Sequence, residues 1–266
     1  MFIVKVPGIN GLGKTAGCRN SGNAILSSLK EIYSNEQGVI VNPSLLDLEE
    51  IHLDNSNLEL SHKLIYKNTL EILGTKQKTL FLGGDHSISY STGKAFLDYC
   101  KLERKIPCLI VFDAHPDCME PMQEPTHEEW LRKLVEDGFP SANVLLIGVR
   151  NSHQDEVKFL NEHKIRTISI NSLTEDLADM CEVIMEFSNK KELYLSIDID
   201  VIDPAFASST GYPEPGGLSS REFIYLIQRI KKIKSLKAID LVEINEKQDT
   251  EGKTIKLGAK ILSEFL

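Results

Sequence analysis

No stretch of the chain approaches the roughly 20 consecutive apolar residues that a membrane-spanning helix needs, so no membrane association is expected. Positive charge is scarce too. The formal net charge is −9, and a nucleic-acid surface needs clustered Lys and Arg. The one basic run, Arg229, Lys231, Lys232, Lys234 and Lys237, reads as the solvated face and end of a helix. The five cysteines (Cys18, Cys100, Cys108, Cys118, Cys181) include no Cys-x-x-Cys pair and are odd in number. That spacing argues against a disulfide framework and for reduced thiols, with Cys118 a buried neutral thiol. The segment Met1–Pro7 is too short and too soon broken for a signal peptide, which predicts a cytoplasmic location. Repeats, low-complexity segments and breaks in composition are lacking, so residues 1–266 are expected to form a single domain.

What the sequence does contain is a series of short apolar runs of strand length. They are Phe2–Val6, Gly38–Val41, Thr79–Leu82, Cys108–Phe112, Val144–Val149, Ile165–Ile168, Leu193–Ile199 and Leu236–Val242. Most are apolar on both faces, as in parallel strands covered on both sides. Amphipathic stretches of helix length lie between them, including Asn23–Tyr33, Leu58–Leu73, Ser87–Leu102, Glu128–Asp137 and Arg221–Ile233. The alternation predicts an α/β fold, a three-layer α/β/α sandwich. Thr126 with Glu129, and Ser219 with Glu222, have the spacing of capping boxes.

Three of the apolar runs end in clusters of metal-type ligands. His86 stands in Gly83-Gly84-Asp85-His86-Ser87. Asp113, His115 and Asp117 stand in Asp113-Ala114-His115-Pro116-Asp117. Asp198 and Asp200 stand in Ser196-Ile197-Asp198-Ile199-Asp200. A lone Asp-x-His is more often a turn or a cap, but three such clusters at strand ends point to one pocket. Alternate residues of an extended chain face the same way, so each Asp cluster is expected to present its ligands together. Four carboxylates and two imidazoles suit a pair of Mn²⁺ or similar ions and suit zinc–thiolate chemistry poorly. One carboxylate from each Asp cluster is expected to bridge the ions. Two cations about 4 Å apart can trap and deprotonate a bridging water near neutral pH, which gives a hydroxide able to attack a planar carbon.

Together with Ile147-Gly148-Val149-Arg150, Pro213-Glu214-Pro215-Gly216-Gly217-Leu218 and Asp240-Leu241-Val242-Glu243-Ile244-Asn245, these segments resemble the signatures of the ureohydrolase superfamily of arginase, agmatinase and formiminoglutamase. The matches run in family order from about residue 80 to 245. The resemblance implies a mostly parallel, about eight-stranded sheet and two Mn²⁺ per subunit. It also implies hydrolysis of a small guanidino substrate and a homo-oligomer, trimer or hexamer. By the same resemblance, His86, Asp113, Asp117 and Asp198 hold one metal, and His115, Asp113, Asp198 and Asp200 the other. Asp113 and Asp198 bridge, and Asp117 also bonds the metal-bound hydroxide. Glu243 is similar to the carboxylate that holds the guanidinium, with a structural Arg partner as the plainer alternative. His127 is similar to a proton-relaying His, with a simple helix-start residue as the alternative. A helix N-terminus there would lower its pKa.

In detail the motifs look closer to agmatinase. Met119 stands where arginases usually carry an Asn that reads the substrate's α-carboxylate, and Asn151, Ser152 and His153 stand where they tend to carry an acidic residue. Glu128 replaces the usual small residue after the relay His. The segment Cys118–Met122 offers an apolar and acidic lining for a substrate tail without a carboxylate. Agmatine, cleaved to putrescine and urea in polyamine metabolism, is therefore the expected substrate. Arginine or formiminoglutamate, acted on by the same chemistry, is the first alternative, and a non-catalytic metal-binding paralogue is the second. Asp85 and Asp203 are expected to support the ligand loops by hydrogen bonds.

Overall fold

The computed structural model describes residues 1–11 and 13–266. Its strands are β1 (Phe2–Val6), β2 (Asp47–Glu50), β3 (Thr79–Gly83), β4 (Pro107–Phe112), β5 (Val144–Ile147), β6 (Arg166–Ile168), β7 (Glu192–Asp198) and β8 (Leu236–Val242). They form one sheet in the order β2-β1-β3-β8-β7-β4-β5-β6, and every pair is parallel. The inner strands are apolar on both faces because both faces are covered. Helices α1 (Ser21–Leu29), α6 (Ile170–Glu175), α7 (Leu177–Phe187), α8 (Ser220–Ile230) and α9 (Lys253–Phe265) share a core with one face. Helices α2 (Leu58–Thr75), α3 (Ile88–Leu102), α4 (Trp130–Glu136) and α5 (Gln154–His163) share a core with the other. Each Leu or Ile buried there contributes about 1.5–3 kcal/mol.

The expected eight strands are present with one replacement. Gly38–Val41 is a turn: Gly38 takes a positive φ of 80°, and Ile40 makes only an isolated antiparallel bridge to Ser34. The outermost strand is instead Asp-Leu-Glu-Glu at 47–50. It carries charge because an edge strand faces solvent, and that charge discourages pairing with another chain. Lys237 also departs from the helix-face reading. It lies in β8, and its ammonium donates to the Lys76 carbonyl. Ser219 and Glu222 form the expected capping box on α8, and His153 with Glu156 forms a second on α5. All five cysteines are free and buried. Among the described residues no helix is long and apolar enough to cross a membrane.

What positions the site is register. The four middle strands β3, β8, β7 and β4 are neighbours, and each ends at a functional segment. Phe112 pairs with Ile197, so Asp113 and Asp198 follow side by side, and Asp198 pairs with Val242, one residue before Glu243. Ligands of open α/β sheets bind beyond such carboxyl ends.

Candidate active site

His86 follows β3 and is fully buried. Its Nδ1 lies 3.1 Å from Asp113, 3.0 Å from Asp117 and 3.3 Å from Asp198, yet makes a well-formed hydrogen bond to none of them. Its Nε2 meets Ser196 Oγ at 2.9 Å, and that hydroxyl donates to Asp240 at 2.8 Å. Asp240 also accepts from Ser89 and Tyr194. A proton on Nε2 directed at Ser196 leaves the Nδ1 lone pair for a metal. Across the pocket, His115 Nδ1 lies 2.9 Å from Asp200 and 3.7 Å from Asp113.

Two groups of ligand atoms result, each drawn within 4.8 Å: His86 with Asp113 and Asp198, and Asp113 with His115 and Asp200. They share Asp113. Asp117 stands outside both groups, although its carboxylate reaches His86, and Asp198 belongs to only one of them. The expected extended alternation does not carry through either cluster. Asp117 adopts a left-handed backbone with φ 51°, and Asp200 sits in a short 3₁₀ turn whose N–H donates to Asp198. Left-handed backbone in a residue other than Gly is uncommon and concentrates at functional sites. Glu243, with φ 64°, is a second case here.

The charges do not balance among protein groups alone. Burial and Asp113 push Asp117 up to about 8. Burial raises Asp198 well above the carboxylate range, with Asp200 and Asp113 adding to it, and burial and Asp113 raise Asp200. Asp113 is held low instead: against its burial, the His115 and His86 imidazoles beside it favour the charged form. His115 rises to about 12 and His86 also rises, because their carboxylate neighbours outweigh burial. Among the described residues, the buried Nδ1 of His86 and Oδ2 of Asp113 are left without a well-formed hydrogen bond. Hard divalent cations would supply the missing charge and satisfy both atoms, so the donor set fits a metal pair.

Glu243 is buried, accepts from the His86 N–H at 2.8 Å and receives the Cys18 thiol at 3.6 Å. Burial, then Asp85, raise its pKa well above the carboxylate range. Among the described residues no Lys or Arg pairs with it, so the structural-Arg alternative finds no partner. Gly17 leaves room for the nearby Asn245, since a Cβ there would stand 1.8 Å from Asn245 Oδ1.

His127 is buried, and among the described residues neither ring nitrogen has a hydrogen-bond partner; the Glu128 carboxylate stands 3.7 Å from Nε2. It stacks on Tyr212, with ring centroids 5.1 Å apart. Its pKa is pushed down to about 4 by burial and then by His86. A helix terminus is not the cause, because α4 begins only at Trp130. Thr126 and Glu129 bond each other as their spacing suggested, but in the turn before that helix. Asn10 fixes this loop by donating to the carbonyls of Glu124 and Pro125.

These groups line a small space of 20 Å³, bounded by His86, His115, Asp117, His127, Asp198, Asp200, Thr210, Tyr212 and Glu243. It adjoins a vestibule of 250 Å³ lined by His115, Asp117, Met119, His127, Glu128, Asn151, His153, Glu156 and Tyr212. Of the segment 118–122 only Met119 reaches the vestibule; Met122 is exposed and Cys118 is buried against Pro116. The acidic lining comes from Glu128 and Glu156. Sequence reasoning did not single out Tyr212, Ser196, Trp130 or Arg150. Arg150 clamps the Asp200 carbonyl to the carbonyls of Glu214 and Pro215. Asp85 and Asp203 accept several loop hydrogen bonds, as expected.

Comparison with known proteins agrees with this geometry. Mitochondrial arginase 1 of Arabidopsis thaliana is 31% identical over 192 residues, covering 71% of this chain and 54% of that protein. The chain thus spans about half the length of the plant arginases it matches. The formimidoylglutamase structure from Bacillus subtilis superimposes with a TM-score of 0.88 at 25% identity, covering 99% of this chain and 85% of that one. Proclavaminate amidino hydrolase from Streptomyces clavuligerus gives a TM-score of 0.85 at 25% identity, covering 99% and 89%. The Arginase family profile matches residues 1–266, end to end. With the all-parallel sheet and the paired His/Asp groups at its carboxyl ends, that match shows that the chain belongs to the Arginase family.

Proposed function

We propose that the chain is a binuclear-metal hydrolase that cleaves a guanidino compound to urea and an amine, with agmatine as its substrate. The observation that carries this reading is the buried, cation-free Glu243 beside two ligand groups that share Asp113. His86, Asp113, His115, Asp117, Asp198 and Asp200 would hold two Mn²⁺ per subunit. Bound there, the ions would supply an activated water and neutralise charge that develops at the guanidinium carbon.

The chain's own groups do the rest. Glu243 accepts guanidinium N–H bonds and turns the planar carbon toward Asp113, as a carboxylate does for any bidentate guanidinium. Asp117 accepts a hydrogen bond from the attacking water. His127, neutral at pH 7 because burial depresses its pKa, can take one proton and pass it to the departing amine. Water adds to carbon, the C–N bond breaks, and both protons of the water end on the leaving nitrogen, which departs as an ammonium and leaves neutral urea. Met119, Tyr212 and the Glu128 carboxylate around the tail suit an alkylammonium, and among the described residues no Lys or Arg lines the vestibule.

One observation favours a second reading. Lys14 Nζ lies 4.6 Å from the centre of the Tyr212 ring, close enough to serve a carboxylate-bearing tail such as that of arginine or formiminoglutamate. The remaining parts of the proposal are a single domain over 1–266, a homo-oligomer of three or six subunits, a cytoplasmic location and a role in polyamine metabolism. Urea release from agmatine, arginine and other guanidino compounds tests the substrate, with formamide release from formiminoglutamate alongside. A higher kcat/KM for agmatine is expected. Preference for arginine would favour the second reading, and no turnover of any of them would leave a binding paralogue.

A further inference from the structure

Trp130 is the only tryptophan of the chain, the first residue of α4, and fully buried. Its indole Nε1 donates to Asp117 Oδ2 at 2.7 Å. Its ring lies tilted against the His86 imidazole, with centroids 4.6 Å apart. The same helix start holds Asp117 from a second direction. The backbone N–H groups of Leu131 and Arg132 donate to the Asp117 carbonyl at 3.2 and 3.4 Å. Asp117 needs holding, because its left-handed backbone is one that residues other than Gly seldom adopt unless neighbours impose it. A carboxylate with one oxygen committed to an N–H donor is fixed in rotation, and an imidazole packed on an indole is fixed in tilt. Both fixed groups face the point where the His86 Nδ1 and carboxylate oxygens converge.

We propose that Trp130 is a positioning residue for the metal centre. It orients Asp117 and His86, sets the affinity of the His86-side ion, and makes the indole an intrinsic reporter of that ion. The proposal rests on the reading that this pocket binds metals. An indole N–H is neutral, so it orients the carboxylate without competing for its charge as an Arg or Lys would. Partners that orient metal ligands in this way are typically worth about 10–100-fold in metal affinity.

The test is a Mn²⁺ titration of the metal-stripped full-length protein, followed both by tryptophan emission and by equilibrium dialysis. In the wild type, emission is expected to change in step with one of the two bound equivalents, since the paramagnetic ion on the His86 side would sit beside the only indole. In Trp130→Phe, which keeps a ring on His86 but removes the N–H, one ion is expected to bind about 10–100-fold more weakly while the other binds as in wild type. Equal affinity for both ions in a folded Trp130→Phe overturns the proposal while leaving the metal reading intact. If that variant does not fold, the wild-type emission decides. Bound metal with unchanged emission overturns the proposal, and a wild type that retains no metal overturns the proposal and the metal reading together.

Discussion

At their carboxyl ends the four middle strands close around a space of only 20 Å³, with a 250 Å³ vestibule outside it. At the amino ends, β4, β7 and β8 border a far larger cleft of 840 Å³, lined among others by Lys105, Lys191, Glu192 and Ser235. Volume alone would choose the second region. Charge chooses the first. In the cleft, Lys105 pairs with Glu192 at 2.9 Å, and the Lys191 ammonium donates to the Phe187 carbonyl. At the carboxyl ends, burial raises the pKa values of Asp117, Asp198, Asp200 and Glu243, and among the described residues the ring nitrogens of His127 have no hydrogen-bond partner. A buried polar group costs stability unless it is satisfied, so a cluster of unsatisfied and ionisable ones at one end of the sheet marks where a ligand would complete them. Chemistry is read from unfinished bonding rather than from the size of a hollow.

The comparison is broken most forcefully by Asp113→Asn, which removes a charge shared by both ligand groups. Loss of a direct, shared ligand is expected to exceed the roughly 10–100-fold typical of an outer partner, so kcat/KM should fall by more than about 10³. Steady-state assay with saturating Mn²⁺ checks it. His127→Ala comes next. A lost proton shuttle typically lowers kcat by about 10²–10⁴, here with bound metal unchanged. An unaltered kcat would reduce His127 to a stacking partner of Tyr212. Glu243→Gln keeps the shape but removes the charge proposed to meet the guanidinium. A loss of about 2–5 kcal/mol in transition-state binding is expected, read as kcat/KM with metal content intact.

Acid sharpens the contrast further. His127 titrates near 4 in the fold because of burial and His86, against roughly 6.5 in an unfolded chain. Between those values the unfolded state binds the extra proton, so the contribution of His127 is fully present above pH 6.5 and is lost as the pH falls toward 4. Thermal melts of metal-stripped protein across this window should therefore show a shallower acid decline in His127→Ala than in wild type. The smallest effect is expected at the other end of the strands. Lys105→Ala removes a partly exposed ion pair, which should shift stability by under about 1 kcal/mol and leave turnover unchanged. A large drop in activity there would collapse the distinction between the two ends.

Much of this site was legible because its proposed ligands lie in short sequence clusters directly after apolar strands. His86, Asp113, His115, Asp198 and Asp200 could be placed at strand ends from pattern alone, and Glu243 from the buried run before it. What pattern could not supply is contact through space. The Ser196 hydroxyl on His86 joins positions 110 residues apart, and the Trp130 indole reaches Asp117 across a turn with no periodic signal. Tyr212 stands just before the Pro213–Leu218 motif without belonging to it, and its stacking on His127 required the fold. The left-handed backbone at Asp117 and Glu243 had no glycine to announce it. Strand β2 escaped notice because an edge strand of Asp, Leu and Glu has the composition of a loop.

The most direct measurement is metal content. Protein stripped with chelator, reloaded with Mn²⁺ and passed through a desalting column should hold two ions per chain by elemental analysis, and Asp113→Asn should hold fewer. A wild type that retains none, or that hydrolyses guanidino compounds at full rate after verified stripping, would contradict the account.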